Sequence, residues 1–165
     1  MTAGQVAAPA RYVEHVMGMP ISLALRGRHT DDTPAVTAWT AVLAELRQAD
    51  RVFSTYRADS TICRLGRGEI TVADCPPEVA EVLVLGEAAE RNSGGAFAVR
   101  RGGVLDPSGV VKGWAAERAA ANLAALPGTD FCLSAGGDVI CRTVDPSGPP
   151  WRIGVEDPHD PSRLI

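Results

Sequence analysis

The stretch Asp106-Pro107-Ser108-Gly109-Val110-Val111-Lys112-Gly113 gathers residue types that handle phosphate. Ser108 and Gly109 stand where a loop turns into a helix. The first N–H groups of a helix lack intrahelical acceptors and carry the positive end of its dipole, so a helix start attracts anions. Lys112, about one turn further on, adds a full positive charge, and Gly109 and Gly113 let a ligand or neighbouring backbone come close. Asp106 departs from a pure anion cradle. A carboxylate there suits a sugar or base donor, or a nearby divalent cation. The competing reading is local: Asp106 or Ser108 caps the helix and Lys112 is a solvated surface residue. The spacing is not that of a P-loop, because Gly-x-x-x-x-Gly-Lys-Ser/Thr is absent.

Other stretches carry weaker signals. Tyr56 shares a polar loop with Ser54 and Thr55, where its ring either lies against a flat heterocycle or is a partly buried loop tyrosine. Met17-Gly18-Met19-Pro20 interrupts an apolar alternation, as a bend or bulge that admits a ligand to the backbone or as a simple kink. Gly94-Gly95-Ala96-Phe97 serves equally as free backbone beside a ligand or as a helix C-cap. Gly136-Gly137-Asp138 fits a tight turn and is not a dinucleotide fingerprint. Cys63, Cys75, Cys132 and Cys141 lack a C-x-x-C pair and are expected to be reduced, mostly buried thiols. His15, His29 and His159 show no zinc spacing.

These residues need elements to position them. Over residues 12–25, Ile21, Leu23 and Leu25 alternate with Ser22 and Ala24, which predicts a half-buried strand. Thr33-Pro34 predicts a helix start with Thr33 as N-cap; Val36, Trp39, Leu43 and Leu46 form its core stripe, and Asp50 is the one polar member of that series. Val52 to Ser60 passes from apolar to polar and predicts a loop. Pro76-Pro77 opens a second helix with Val79, Val82, Leu83, Gly86 and Ala89 inward, ended by Asn92-Ser93-Gly94-Gly95. A third runs from near Ser108 towards the stop at Pro127-Gly128. Strands are expected at Phe131–Leu133, Val139–Cys141 and Trp151–Val155, and Ser162 to Ile165 reads as the opening of another, which points to further sequence beyond it. Helices separated by strands give an α/β or α+β class.

Composition narrows the function. A chain of 165 residues, 45% hydrophobic, has the length and apolar content of one packed domain. A net charge of −4, a pI near 5.3 and no Lys/Arg run argue against nucleic acid or anionic lipid as partner. Met1 to Ala10 lacks the basic and apolar regions of a secretory signal, and no window approaches the roughly 20 apolar residues of a membrane span. A cytoplasmic protein without membrane insertion is expected.

Taken in order, five stretches resemble the successive signatures of the ApbE family of FAD:protein FMN transferases. They are Met17-Gly18-Met19, Phe53 to Ser60, Gly95-Ala96-Phe97, Leu105 to Ala115, and Ala135-Gly136-Gly137-Asp138-Val139. The resemblance implies an α+β fold, a mixed sheet with packed helices related to the T-fold, over residues 12–165, preceded by a flexible segment 1–11 and lacking the family's carboxy-terminal part. It implies magnesium-dependent transfer of FMN from FAD to a threonine or serine hydroxyl of an acceptor flavoprotein, with release of AMP. By the same resemblance Met17, Tyr56, Ala96, Phe97, Ala98, Asp106 and Lys112 contact FAD, Lys112 also assists catalysis, and Gly109 offers a carbonyl to magnesium. Ala98 stands where the family commonly has aspartate, which leaves a backbone contact there. The family's remaining magnesium ligands fall beyond Ile165. Two alternatives stay open: an FAD-binding module without catalysis, and a metal-dependent FAD hydrolase giving FMN and AMP.

Overall fold

The alternation over residues 12–25 folds as two strands, not one. The computed structural model describes residues 9–164; of the expected flexible segment, residues 1–8 lie outside these, as does Ile165. In chain order the elements are β1 (Ala10–Val16), β2 (Met19–Gly27), α1 (Thr33–Phe53), α2 (Thr61–Gly66), a 3-10 turn (Val72–Asp74), α3 (Pro77–Asn92), β3 (Arg100–Arg101), β4 (Val104–Leu105), α4 (Ser108–Ala124), β5 (Thr129–Ala135), β6 (Asp138–Arg142), β7 (Glu156–Asp157) and β8 (Asp160–Leu164).

Met17 and Gly18 form the two-residue turn of the β1–β2 hairpin, with φ of 57° and 71° and Val16 opposite Met19. Two-residue hairpins of this twist need positive φ at both central positions, which is why glycine sits at one of them. The interruption is therefore a hairpin turn, neither a bulge nor a kink. β2 pairs with β5 and β5 with β6, giving a sheet of order β1-β2-β5-β6. All its strand pairs are antiparallel.

One face of this sheet is the core. Ile21, Leu23 and Leu25 of β2 and Phe131, Leu133 and Ala135 of β5 are buried, while Ser22, Ala24, Cys132 and Ser134 alternate onto the other face. Helices α1 and α4 pack on each other and on the sheet. α1 contributes Ala35, Ala38, Trp39, Val42, Leu43, Leu46, Ala49, Val52 and Phe53. Val36, expected in that stripe, is exposed. It lies about 100° around the helix from Ala35, and Ala35 holds the inward position. Burying each large aliphatic side chain here stabilises the fold by roughly 1.5–3 kcal/mol before entropy is counted. α4 brings Ala115, Ala116, Ala119, Ala120 and Leu123, and its small side chains let α1 approach closely. α3 covers the side of α4.

Several boundaries differ from expectation for local reasons. The N-cap of α1 is Asp32, whose carboxylate accepts from the Ala35 N–H at 3.2 Å, so Thr33 and Pro34 are already helical. α1 continues through Val52 and Phe53 because both complete its buried face, and its last turn closes with the Ser54 N–H donating to the Asp50 carbonyl. Ser60 caps an unexpected short helix, α2, by accepting from the Cys63 N–H. The strand expected at Trp151–Val155 does not form. Trp151 instead lies against the Arg26 guanidinium, 4.2 Å from its ring centre, and donates to the Arg142 carbonyl. The cysteines are free, but they are less buried than expected: Cys63, Cys75 and Cys132 are half-buried and Cys141 is exposed.

Candidate functional site

Two turns meet at one end of the sheet. β2 and β5 are neighbours, with Ile21 opposite Ala135, which sets the Met17-Gly18 turn beside the Gly136-Gly137 turn. The Gly136 N–H donates to the Pro20 carbonyl at 3.3 Å. Gly136 has φ 55°, and a Cβ there would run into the Met19 sulfur, so the interlocking of the two turns requires glycine. The start of α4 reaches the same place. Lys112 Nζ donates to the Gly136 carbonyl at 3.2 Å and lies 3.4 Å from Asp138 Oδ2. Lys112 is therefore tethered across the sheet end and is not a free surface residue.

The C-terminal end of α1 supplies the opposite wall. Asp50, Phe53 and the loop Ser54-Thr55-Tyr56 face Met17, Ser108 and Lys112 across a cleft of about 580 Å³. That volume lies in the range that holds cofactor-sized ligands. Tyr56 is 99% exposed, so it is not a partly buried loop residue, and it lines the cleft. Phe53, on the cleft floor, is itself held edge-on by Trp114 at 5.3 Å.

The helix start differs from an open anion cradle. Asp106 Oδ1 accepts from the Ser108 N–H at 3.0 Å, and the Pro107 carbonyl takes the N–H groups of Val110 and Val111. Among the described residues the Gly109 N–H alone in this first turn is left without a protein acceptor. Asp106 thus competes with a phosphate for this end of α4, and Lys112 is the main positive centre that the cleft offers. Phe97 closes the helix start from outside: a Cβ on Gly109 would lie 2.6 Å from the Phe97 ring.

The structure brings Met17, Tyr56 and Lys112 into one cleft. Gly109 is next to it beside Ser108, and Phe97 rests on Gly109. Asp106 opens on an adjoining hollow of about 290 Å³ that shares Thr55 with the main cleft. Ala96 and Ala98 flank Phe97 and do not line the main cleft. Two acidic residues were missed as site members. Asp50 lines the cleft, and its signal was visible as the polar interruption of an apolar stripe; Asp138, the partner of Lys112, lay hidden in a stretch that reads as an ordinary turn. Arg57 sits 3.9 Å from Asp50 and 3.7 Å from Asp59, exposed pairs that add little stability.

The described residues do not build a magnesium site by themselves. No group of three or more His, Cys, Asp or Glu among them could hold a metal ion. Gly109 supplies a single carbonyl, whereas magnesium takes about six oxygen ligands in octahedral geometry.

The geometry defines an α+β domain with a ligand cleft at one end of an antiparallel sheet, and the same architecture recurs in solved flavin transferases. Flavinyl transferase ApbE of Pseudomonas stutzeri, in its apo form, superimposes with a TM-score of 0.75 at 22% identity, covering 100% of this chain and 66% of that one. Flavin transferase ApbE of Vibrio cholerae gives 0.73 at 16% identity, covering 95% and 67%. The ApbE protein of Thermotoga maritima gives 0.79 at 18%, covering 95% and 66%. The chain thus spans about two thirds of the length of these relatives. A search of curated proteins returned no match. The ApbE family profile matches residues 17–104 and 98–165, and the chain belongs to the ApbE family. No helix among the described residues is long and apolar enough to cross a membrane.

Proposed function

We propose that the cleft binds FAD and that the whole protein transfers its FMN half to a threonine or serine hydroxyl of an acceptor flavoprotein in the cytoplasm, with AMP as the leaving group. The observation that carries this reading is the convergence of Met17, Tyr56 and Lys112 on one cleft in a chain of the ApbE family. In this reading residues 12–165 are the FAD-binding unit. The Tyr56 ring lies against the flavin or adenine plane, and Met17 and Phe53 supply apolar walls. Lys112 exchanges its contacts with Asp138 and the Gly136 carbonyl for a phosphate oxygen, adding charge where it accumulates as the bond to AMP lengthens. Asp106 accepts from a ligand hydroxyl or N–H in the adjoining hollow, and the Ala96-Phe97-Ala98 segment, whose Phe97 rests on Gly109, meets the ligand at the start of α4. The acceptor oxygen forms the new bond to phosphorus, its proton leaves, and the bond to the AMP phosphate breaks. Magnesium, with the Gly109 carbonyl as one contact, would need its other ligands from outside the described residues.

A second reading, FAD held without being cut, is favoured for this chain alone by one observation: its described residues gather a cleft but no metal-binding cluster. One experiment separates the readings. The chain is mixed with FAD, magnesium and a candidate acceptor, and covalent flavin fluorescence on a denaturing gel is followed together with AMP. A fluorescent acceptor with AMP supports transfer; bound, intact FAD supports the binding module; AMP with free FMN and no band means hydrolysis. In FAD titrations Lys112→Met is expected to weaken binding roughly tenfold, the lower end for a partly exposed charged hydrogen bond. Unchanged affinity removes Lys112 from the site.

A further inference from the structure

The sheet face turned away from the helices carries a feature that the cleft does not use. β5 and β6 place Cys132 directly opposite Cys141, in a row that runs Arg11, Ala24, Cys132, Cys141 across the four strands. Residues directly opposed in an antiparallel pair have Cα atoms about 4.5–5.5 Å apart, inside the roughly 4.4–6.8 Å that a disulfide spans. The pairing therefore places the two residues within the Cα spacing that a bridge spans. Cys141 is exposed on the outermost strand of this sheet, and Cys132 is half-buried behind it. Cys63 and Cys75 differ: each gives its thiol to nearby backbone carbonyls, of Ser54 and Thr55 and of Thr71 respectively.

We propose that Cys132 and Cys141 form a reactive dithiol site that takes small-molecule disulfides and closes into a cross-strand disulfide. The Cys141 thiolate attacks one sulfur of the small disulfide, one thiolate leaves, and Cys141 carries a mixed disulfide. Cys132 then loses its proton to solvent and attacks the Cys141 sulfur, expelling the second thiolate. Two protein thiols are oxidised and one small disulfide is reduced to two thiols, so atoms and electrons balance.

The environments of the two sulfurs fix the order of events. Burial, then the hydrogen bond to Cys141 and its charge, push the Cys132 thiol up to about 12, while Arg11 pulls it slightly the other way. Cys132 is thus a poor first nucleophile. Once Cys141 carries an adduct, its charge and its thiol hydrogen bond are gone, and two of those three causes go with them. The exposed thiol attacks first and the half-buried one resolves. Because β6 also carries Asp138, the closed bridge fixes to β5 the strand from which the partner of Lys112 hangs.

The test treats the native chain with excess oxidised glutathione at pH 8, quenches with acid, unfolds, alkylates, and maps peptides by mass spectrometry. Of the four cysteines, Cys132 and Cys141 are expected to become unavailable to alkylation through one linked peptide, while Cys63 and Cys75 remain alkylatable. Cys132→Ser is expected to stop at a stable glutathione adduct on Cys141. Cys141→Ser is expected to leave Cys132 glutathionylated at least about tenfold more slowly than Cys141 in the native chain, because Cys132 stays half-buried and its burial, the largest cause of its raised value, remains. A wild-type chain that stops at a stable Cys141 adduct, keeps all four thiols free, or bridges other cysteines overturns the proposal. The wild-type peptide map decides it even if a serine variant folds poorly.

Discussion

Gly109→Ala isolates the contact that shapes the start of α4. The added methyl would lie 2.6 Å from Phe97 Cε2, with Cδ2 and Cζ at 3.4 and 3.5 Å. Carbon atoms rest about 3.5–4.0 Å apart, so the ring must retreat by about 1 Å. Phe97 is not free to do so without cost. It is half-buried, its N–H donates to Ser93 Oγ at 3.0 Å, and two residues later the chain is anchored by buried Val99. Overpacking of this kind costs roughly 1–3 kcal/mol. Alanine in place of glycine recovers at most about 1 kcal/mol of helix propensity, and about half of that in a first turn. The net expectation is a loss of about 1 kcal/mol, seen as a fall in melting temperature of roughly 2–4 °C for a chain of this size. Phe97→Ala removes the obstruction, so in that background Gly109→Ala changes sign and stabilises by about 0.5 kcal/mol, a coupling of about 1.5 kcal/mol. Urea unfolding of the four proteins, with slopes compared, reads all of this. If Gly109→Ala is neutral in the wild type, or the two substitutions add within about 0.3 kcal/mol, Phe97 does not rest on Gly109. The Ala96–Ala98 segment would then have no reason to lie at the helix start.

Two further substitutions separate stability from binding and from pH. Tyr56→Ala should leave the unfolding midpoint unchanged, because the ring is 99% exposed, yet weaken FAD binding by roughly tenfold, the size of a lost aromatic stack; Tyr56→Phe should restore it, and an Ala variant with native affinity would place the flavin elsewhere. Asp32 caps α1 and lies 2.7 Å from His29 Nδ1, and its carboxyl is held below the ordinary value first by that hydrogen bond, with the Ala35 N–H adding to it. A depressed carboxyl stabilises the fold above its unfolded value of about 3.9 and loses that contribution as pH falls through the folded value. Asp32→Ala should therefore lower the urea midpoint at pH 7, with the gap to wild type narrowing below about pH 4. A gap independent of pH would mean that the carboxylate charge plays no part in the cap.

Much of the fold was legible because it rests on local periodicity. The alternation of Ile21, Leu23 and Leu25 and the helix opened by Pro77 depend on residues a few positions apart, and both appear as read. Misreadings arose where neighbours in space decide. Met17 at positive φ is a costly conformation for a non-glycine residue. It becomes intelligible only once β1 and β2 pair across it. Val52 and Phe53 look like the opening of a polar loop until the core needs them as the last buried turn of α1. Trp151 has strand-like neighbours, but Arg26, far away in sequence, holds it in irregular backbone.

The site follows the same division. The Asp106–Gly113 stretch announced a helix start because capping chemistry is local, but its electrostatics were not readable from the types alone. Asp106 turned out to sit on the Ser108 N–H that an anion would otherwise use, which shifts the positive role from the helix dipole to Lys112. Lys112 in turn is aimed by Gly136 and Asp138, 24 and 26 positions along the chain, in a stretch with no chemistry of its own. A lysine on a free helix face would spend most of its time in solvent. Tied to the far turn, it spans the end of the sheet before any ligand arrives. If the cleft takes a phosphate as proposed, Lys112 exchanges the Gly136 carbonyl and a weak, half-exposed contact with Asp138 for it, a smaller reorganisation than ordering a free side chain.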